Sequence, residues 1–368
     1  MSEINKIECY KCKKILAENL VLPKGLCVYC AADESEQLPE PQKQQKTLKK
    51  EQNAQIRAEQ ELAKRILSRK RMLPFVEKFN PEYQAGWVHK DICQRLEKFS
   101  QDVTDRKSPR LMLFMPPRHG KSTLASIAFP AWHLGRNPGH EFISCSYSGS
   151  LAMSFSRKVR QVLREPHYKS IFENSRLDKD SQSVESWQTT QGGGYVAAGV
   201  GGGITGKGAH VLLIDDPVKN REDAESENNR EATWDWYTST AYTRLAPGGG
   251  ILVILTRWHD DDLAGRLLMA SENGADDWEV VKYPAIAEED EEFRAIGEPL
   301  HPERYDVESL EKIQRAIGPR DWTALYQQNP VSDEGDYFTR DMIRYYEPDE
   351  IDYDRLRYYC AWDLAIGQ

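Results

Sequence analysis

Eight consecutive residues, Pro116-Pro117-Arg118-His119-Gly120-Lys121-Ser122-Thr123, follow a short apolar run at Leu111–Met115 and lead into LASIAFPAW. Strand, tight loop and helix start, in that order, set backbone N–H groups and a helix N-terminus where phosphates can sit. Against the pattern G-x-x-x-x-G-K-[ST], Met115 stands at the first glycine, and Gly120, Lys121 and Ser122 fill the last three positions. Lys121 is expected to reach the β- and γ-phosphates and Ser122 to hold Mg²⁺. Pro117, His119, Gly120 and Thr123 complete the cradle, and Arg118 is placed to touch a γ-phosphate. A second run, HVLLIDDP (210–217), ends in adjacent acids. Such a pair at a strand end is costly unless a cation neutralises it, so Asp215 is expected to bind Mg²⁺ and Asp216 to orient or deprotonate the attacking water. A third run, ILVIL (251–255), ends in Thr256, whose hydroxyl is placed to sense a γ-phosphate. The chemistry these residues point to is nucleotide hydrolysis.

A separate unit lies at the N-terminus. Cys9-x2-Cys12 and Cys27-x2-Cys30 are separated by 14 residues. Two such turns close a tetrahedral thiolate site with no open position, so a bound zinc is expected to be structural. In a unit this small the metal would supply most of the folding free energy.

These residues need elements to position them. Residues 1–32 form the cysteine unit, and 33–42, polar with two prolines, read as a linker. Residues 43–73 contain no Gly or Pro and carry ten basic residues against three acidic, a helical segment of net +7. Its charged face suits solvent, nucleic acid or a partner. From residue 75 to about 330, short β-type runs (Leu111–Met115, Phe142–Tyr147, Val211–Ile214, Ile251–Leu255) alternate with helical stretches. That alternation predicts an α/β fold with a mostly parallel sheet buried on both faces. A glycine-dense segment, 192–208, lies between the second and third runs. A last apolar run begins at Tyr358, near the end of the 368-residue chain.

Composition narrows the class. Nine Trp, seventeen Tyr and ten Phe need a core, which excludes a wholly disordered chain. The most apolar uncharged run, Ser122–Gly135, is 14 residues, short of the ~20 that cross a bilayer. The N-terminus has no apolar signal core, so a cytoplasmic chain is the default. Lys and Arg number 49 against 58 Asp and Glu, a net charge of −9. The whole surface therefore does not coat nucleic acid, although a local basic site can contact it.

Taken in order, PPRHGKST, SYS, SFSRKVRQVL, GVGGGITGKGAHVLLIDDPVKN, TRLAPGG and LTRWHDDDLAGRLL resemble the large terminase subunit of tailed bacteriophages across residues 75–368. The resemblance implies an additional-strand P-loop ATPase at 75–334 that packages double-stranded DNA into procapsids. It implies an RNase H-like nuclease beyond it, of which residues 335–368 would be the linker and first strand. Within the ATPase it assigns the phosphate-loop lysine, hydroxyl and arginine to Lys121, Ser122 and Arg118. It assigns the magnesium aspartate to Asp215 and the coupling motif to Thr256, and puts Asp216 where many members have a catalytic glutamate. It makes Arg157, Arg160 and Arg164 candidates for an arginine acting on a neighbouring subunit, and sets Gln84–Gln94, with Trp87, His89 and Gln94, where adenine is often recognised. In the tail AWDLAIG it makes Asp363 the first nuclease metal ligand. Two-metal cleavage needs several clustered acids, so a nuclease centre is expected to be incomplete in this chain. The implied partners are duplex DNA, the portal protein, the small subunit and further copies in a ring. The implied place is the host cytoplasm, transiently at the procapsid. The alternative is a helicase-type or repair ATPase carrying a zinc ribbon.

Overall fold

The computed structural model describes residues 6–8, 12–17, 40–204, 206–331 and 357. The chain divides into two compact units, Met1–Leu67 and Ser68–Gln368. The first contains a two-stranded antiparallel hairpin, β1 (Lys6–Glu8) and β2 (Ile15–Ala17), paired Lys6 to Ala17. Helix α1 (Glu40–Lys70) starts in this unit. It takes in residues 40–42, which the sequence reading placed in a linker, and it stops before Arg71, whose backbone is extended (φ −124°, ψ 136°). No described helix is long and apolar enough to cross a membrane.

The second unit is built on an eight-stranded sheet. After α2 (Met72–Phe79) and α3 (Trp87–Thr104) come β3 (Arg110–Phe114), a π-helical turn (Thr123–Ala128) running into α4 (Phe129–Arg136), β4 (Glu141–Ser146), α5 (Gly149–Arg164) and α6 (Pro166–Ile171). Then follow β5 (Leu177–Gln182), β6 (Ser186–Thr189), β7 (Gly194–Gly199), β8 (Ala209–Asp215), α7 (Arg221–Glu225), α8 (Glu227–Trp236), β9 (Leu245–Leu255), α9 (Leu263–Glu272), β10 (Glu279–Lys282) and α10 (Val307–Asp321). Their order across the sheet is β10-β3-β9-β8-β4-β7-β6-β5. The first six are parallel, and β6 and β5 close one edge antiparallel. The central strands bury both faces, as their unbroken apolar runs require. Leu111, Leu113, Val211, Leu213, Leu252 and Ile254 face one core. The residues between them, including Met112, Phe114, Leu212, Ile214 and Val253, face the other. Four strands of this sheet were not visible as runs: β7, framed by glycines in the dense segment, the short β6 beside it, the charged edge strand β5, and the half-exposed β10.

Register fixes where the site lies. Phe114 pairs with Leu255, Ile254 with Asp215, and Asp215 with Ser146. The residues that follow, Met115, Thr256, Asp216 and Tyr147, therefore emerge together at the C-terminal ends of the central strands. β9 is interposed between the phosphate-loop strand and the acidic strand.

The opposite, N-terminal end of the central strands carries three packed histidines. His140 and His210 stack at 4.4 Å and 8°, and His133 Nε2 lies 3.1 Å from His140 Nδ1. The other side of His133 meets the Ser100 hydroxyl at 2.8 Å, while His210 Nδ1 accepts the Glu141 N–H. Burial holds His140 down to about 4, with His210 adding repulsion. Burial also holds His133 well below its ordinary value, with His140, Arg136 and His210 opposing its charge. His210 is lowered by burial and Arg106 against the pull of Glu141. The folded state thus refuses protons that an unfolded histidine takes near pH 6.5. Stability is complete above that pH and is lost as pH falls toward about 4. Melting temperature is expected to drop between about pH 7 and pH 5, and His140→Asn to flatten the drop; an equal drop in the variant would refute the assignment.

Candidate active site

The loop after β3 is anchored at its first residue, Met115, on both its N–H and its carbonyl. Met115 N donates to Leu255 O at 3.2 Å, and Met115 O accepts the Thr256 hydroxyl at 3.2 Å. Met115 is fully buried and is not among the residues with positive φ, so the pattern's first glycine has no conformational task here. The left-handed positions are Arg118 (φ 64°) and Gly120 (φ 91°). A Cβ on Gly120 would also sit 3.1 Å from Tyr83 Oη and 3.2 Å from His89 Nε2.

Behind the loop, His89 receives the Gly86 N–H at Nδ1 (2.9 Å), which leaves Nε2–H to donate to His119 O (3.0 Å). The His119 ring turns inward, donates to Pro117 O at 2.8 Å and stacks on Tyr305 at 4.8 Å. His119 therefore offers the loop's ligand face its backbone, not its ring. His89, in the segment considered for adenine, fastens the loop. Trp87 stacks on Phe293 at 5.1 Å, and Gln94 is exposed on α3. Arg118 is exposed and has no hydrogen bond or ion pair among the described residues.

The acids and the lysine meet in front of the loop. Lys121, 7% exposed, places Nζ 2.8 Å from Asp216 Oδ2 and also donates to Thr256 Oγ1. Asp216 Oδ1 accepts the Thr256 N–H at 3.0 Å. Its backbone is left-handed (φ 46°), a conformation aspartate tolerates. Asp215 is wholly buried. Its Oδ2 accepts the Ser126 hydroxyl at 2.5 Å, and its Oδ1 has no partner among the described residues. Burial, and then the Asp216 charge, raise Asp215 to about 7 against the pull of Lys121 and of the Ser126 and Ser122 hydroxyls. Thr123 is half-buried at the start of the π-helical turn. The structure thus brings Lys121, Ser122, Asp215, Asp216 and Thr256 together. Ser126 went unnoticed in the sequence, although it lies four residues beyond Ser122 on the same helix face.

Thr256 is the first residue of a fixed corner. Arg257 N donates to Gln328 Oε1 at 3.2 Å; Gln328 is fully buried with φ 56°. The Arg257 side chain pairs with Asp262 at 2.7 Å, each 6% exposed, and Asp262 Oδ1 caps α9 through Gly265 N at 3.0 Å. Removing one partner strands a buried charge at a cost of ~3–5 kcal/mol. Asp262→Ala is accordingly expected to lower chemical-denaturation stability by about that amount, and a loss within experimental error would show the pair to be dispensable.

Arg157, Arg160 and Arg164 lie in the second half of α5, which begins beside Asp216 through the Tyr147 N to Asp216 O bond (3.0 Å) and runs away from it. At 1.5 Å per residue, Arg160 stands about 18 Å along the helix from its N-cap. These arginines do not join the lysine and acids of the same chain. Cys9, Cys27, Cys30 and Asp363 lie outside the described residues, and Cys12 sits in the turn before β2. Among the described residues no group of three or more His, Cys, Asp or Glu could hold a metal ion.

A lysine, two carboxylates and hydroxyls at a helix start can together hold a cation-bound polyphosphate. The family model described as "Terminase large subunit, T4likevirus-type, N-terminal" matches residues 112–344. Among solved structures, the HK97 bacteriophage large terminase is 14% identical with a TM-score of 0.46, covering 71% of this chain and 55% of that one. The large terminase of a thermophilic bacteriophage in complex with ADP is 11% identical with a TM-score of 0.38, covering 65% and 52%. An ATPase-domain mutant of the Thermus phage P74-26 large terminase is 13% identical with a TM-score of 0.41, covering 63% and 93%. A search of curated proteins finds no match. The chain spans about half the length of the first two of these structures.

Proposed function

The chain belongs to the terminase large subunit family of the T4likevirus type, and from that membership we propose that it is the ATP-hydrolysing motor subunit that packages double-stranded DNA. The observation that carries the reading is the convergence of Lys121, Asp215, Asp216 and Thr256 at the C-terminal ends of neighbouring central strands. The partnerless Oδ1 of a buried carboxylate, beside the Ser122 and Ser126 hydroxyls, suits a hard divalent cation. Ser122 and Asp215 would hold Mg²⁺, which when bound offsets charge on the phosphates.

Lys121 now satisfies Asp216 and Thr256. ATP entering the loop draws Lys121 onto its β- and γ-oxygens, with Arg118 approaching the γ-phosphate from the exposed side. Asp216 then loses its cation and gains a free Oδ2 for the attacking water. The water oxygen bonds to the γ-phosphorus, the bond to the β–γ bridging oxygen breaks, and Asp216 takes up the water proton, leaving ADP and phosphate. Thr256 loses its lysine contact in the same event. Its neighbour Arg257 is hydrogen-bonded to Gln328, so the change reaches the end of the ATPase unit. We place this motor in a ring at the portal, with the small subunit as a partner, in the host cytoplasm.

Phosphate release measured with ATP, Mg²⁺ and duplex DNA tests the proposal. Turnover stimulated by duplex is expected. No turnover under any assembly condition would reject it.

A further inference from the structure

We propose that Arg157 and Arg160 form a phosphate-oxyanion pocket on α5 that grips the backbone of duplex DNA, an inference that rests on the packaging reading. Arg160 is 8% exposed, and its Nε is buried with no hydrogen-bond partner. Among the described residues neither Arg160 nor Arg157 has a hydrogen bond or an ion pair. The Arg160 Nε–H, shielded from water without an acceptor, forfeits a hydrogen bond, and an anion seated in the adjoining pocket is the missing partner. Burial and the neighbouring Arg164 charge both press the Arg160 pKa down, which fits a cation without compensation.

The surroundings suit phosphate. Arg157, Arg160, Gln161, Arg164, Glu165 and Pro166 line an open pocket of about 460 Å³. Its one carboxylate, Glu165, pairs with neither Arg157 nor Arg160. Spacing of three and seven residues sets the three arginines on one helix face. They span about 10.5 Å of axis, and a duplex offers a charge about every 1.7 Å. Helix α5 carries four basic residues and no acid in a chain of net −9. Several guanidinium forks around one site match phosphate oxygens better than a single carboxylate does. The pocket is too far along α5 to reach this chain's own nucleotide.

The test is fluorescence anisotropy of a labelled random-sequence duplex across a salt series, with the full chain, Arg157→Gln and Arg160→Gln. Each substitution is expected to weaken binding and to reduce the slope of log K against log salt by about 0.9. Affinity and slope unchanged in both variants would overturn the pocket while the wild type still bound DNA. No duplex binding by the wild type would instead overturn the packaging reading. A parallel melt with inorganic phosphate separates the sources of anion. Stabilisation by phosphate that Arg160→Gln abolishes, with no change in the DNA slope, would make this a free-anion site and refute the duplex assignment. Reduced turnover of the assembled chain at unchanged DNA affinity would place the arginines on a neighbour's nucleotide and refute it too. Arg157 is exposed, so its variant keeps the test decisive if Arg160→Gln fails to fold.

Discussion

Lys121→Ala is expected to reduce ATP turnover by at least ~10²–10³-fold, to background in a phosphate-release assay, while the circular-dichroism spectrum stays that of the wild type. Among the described residues, Lys121 is the cation in contact with both Asp216 and Thr256 at the strand tips. Charge develops on the transferred phosphoryl oxygens in a site shielded from water, where a fixed cation counts for more than in bulk. The fold survives for a stated reason. Removing the ammonium leaves two adjacent acids, but Asp215 already lies near about 7 and takes a proton instead of staying charged. Turnover at the wild-type level would remove Lys121 from the chemistry.

Asp216→Asn is expected to separate binding from turnover. The amide keeps an oxygen for the Thr256 N–H but gives up the ion pair that competes with ATP for Lys121. Nucleotide affinity is therefore expected to hold or tighten. The amide cannot accept the water proton, and kcat is expected to fall by ~10²–10⁴-fold, the usual contribution of a positioned base. A raised Kd for an ATP analogue with kcat intact would contradict this assignment and make Asp216 a binding residue.

What could be read from sequence was whatever is encoded within a few residues. PPRHGKST, IDDP and LTRW each carry a strand end and its functional side chain in one stretch, and parallel pairing in register brings the three ends together. The clamp behind the loop was not legible in this way. His89, His119 and Tyr305 come from segments 30 and 186 residues apart, and no local pattern tells a histidine that hydrogen-bonds a phosphate-loop carbonyl from one that faces a ligand. Gln328 is similar: its polarity suggests a surface, yet it is buried because the Arg257 N–H needs an acceptor. Strand β7 escaped because GYVAAG has glycine at both ends. There the glycines admit close neighbours: a Cβ on Gly199 would lie 2.7 Å from Gly149 N. Strand β5, LDKDSQ, is polar because it is an edge.

A crystal structure with Mg²⁺ and a hydrolysis-resistant ATP analogue tests the convergence of loop and acids on one nucleotide most directly. Lys121 Nζ is expected to be withdrawn from Asp216 and bonded to the β- and γ-phosphates, with the metal between Ser122 and the Asp215 side of the site. A triphosphate bound elsewhere, with the Lys121–Asp216 pair intact, would contradict it.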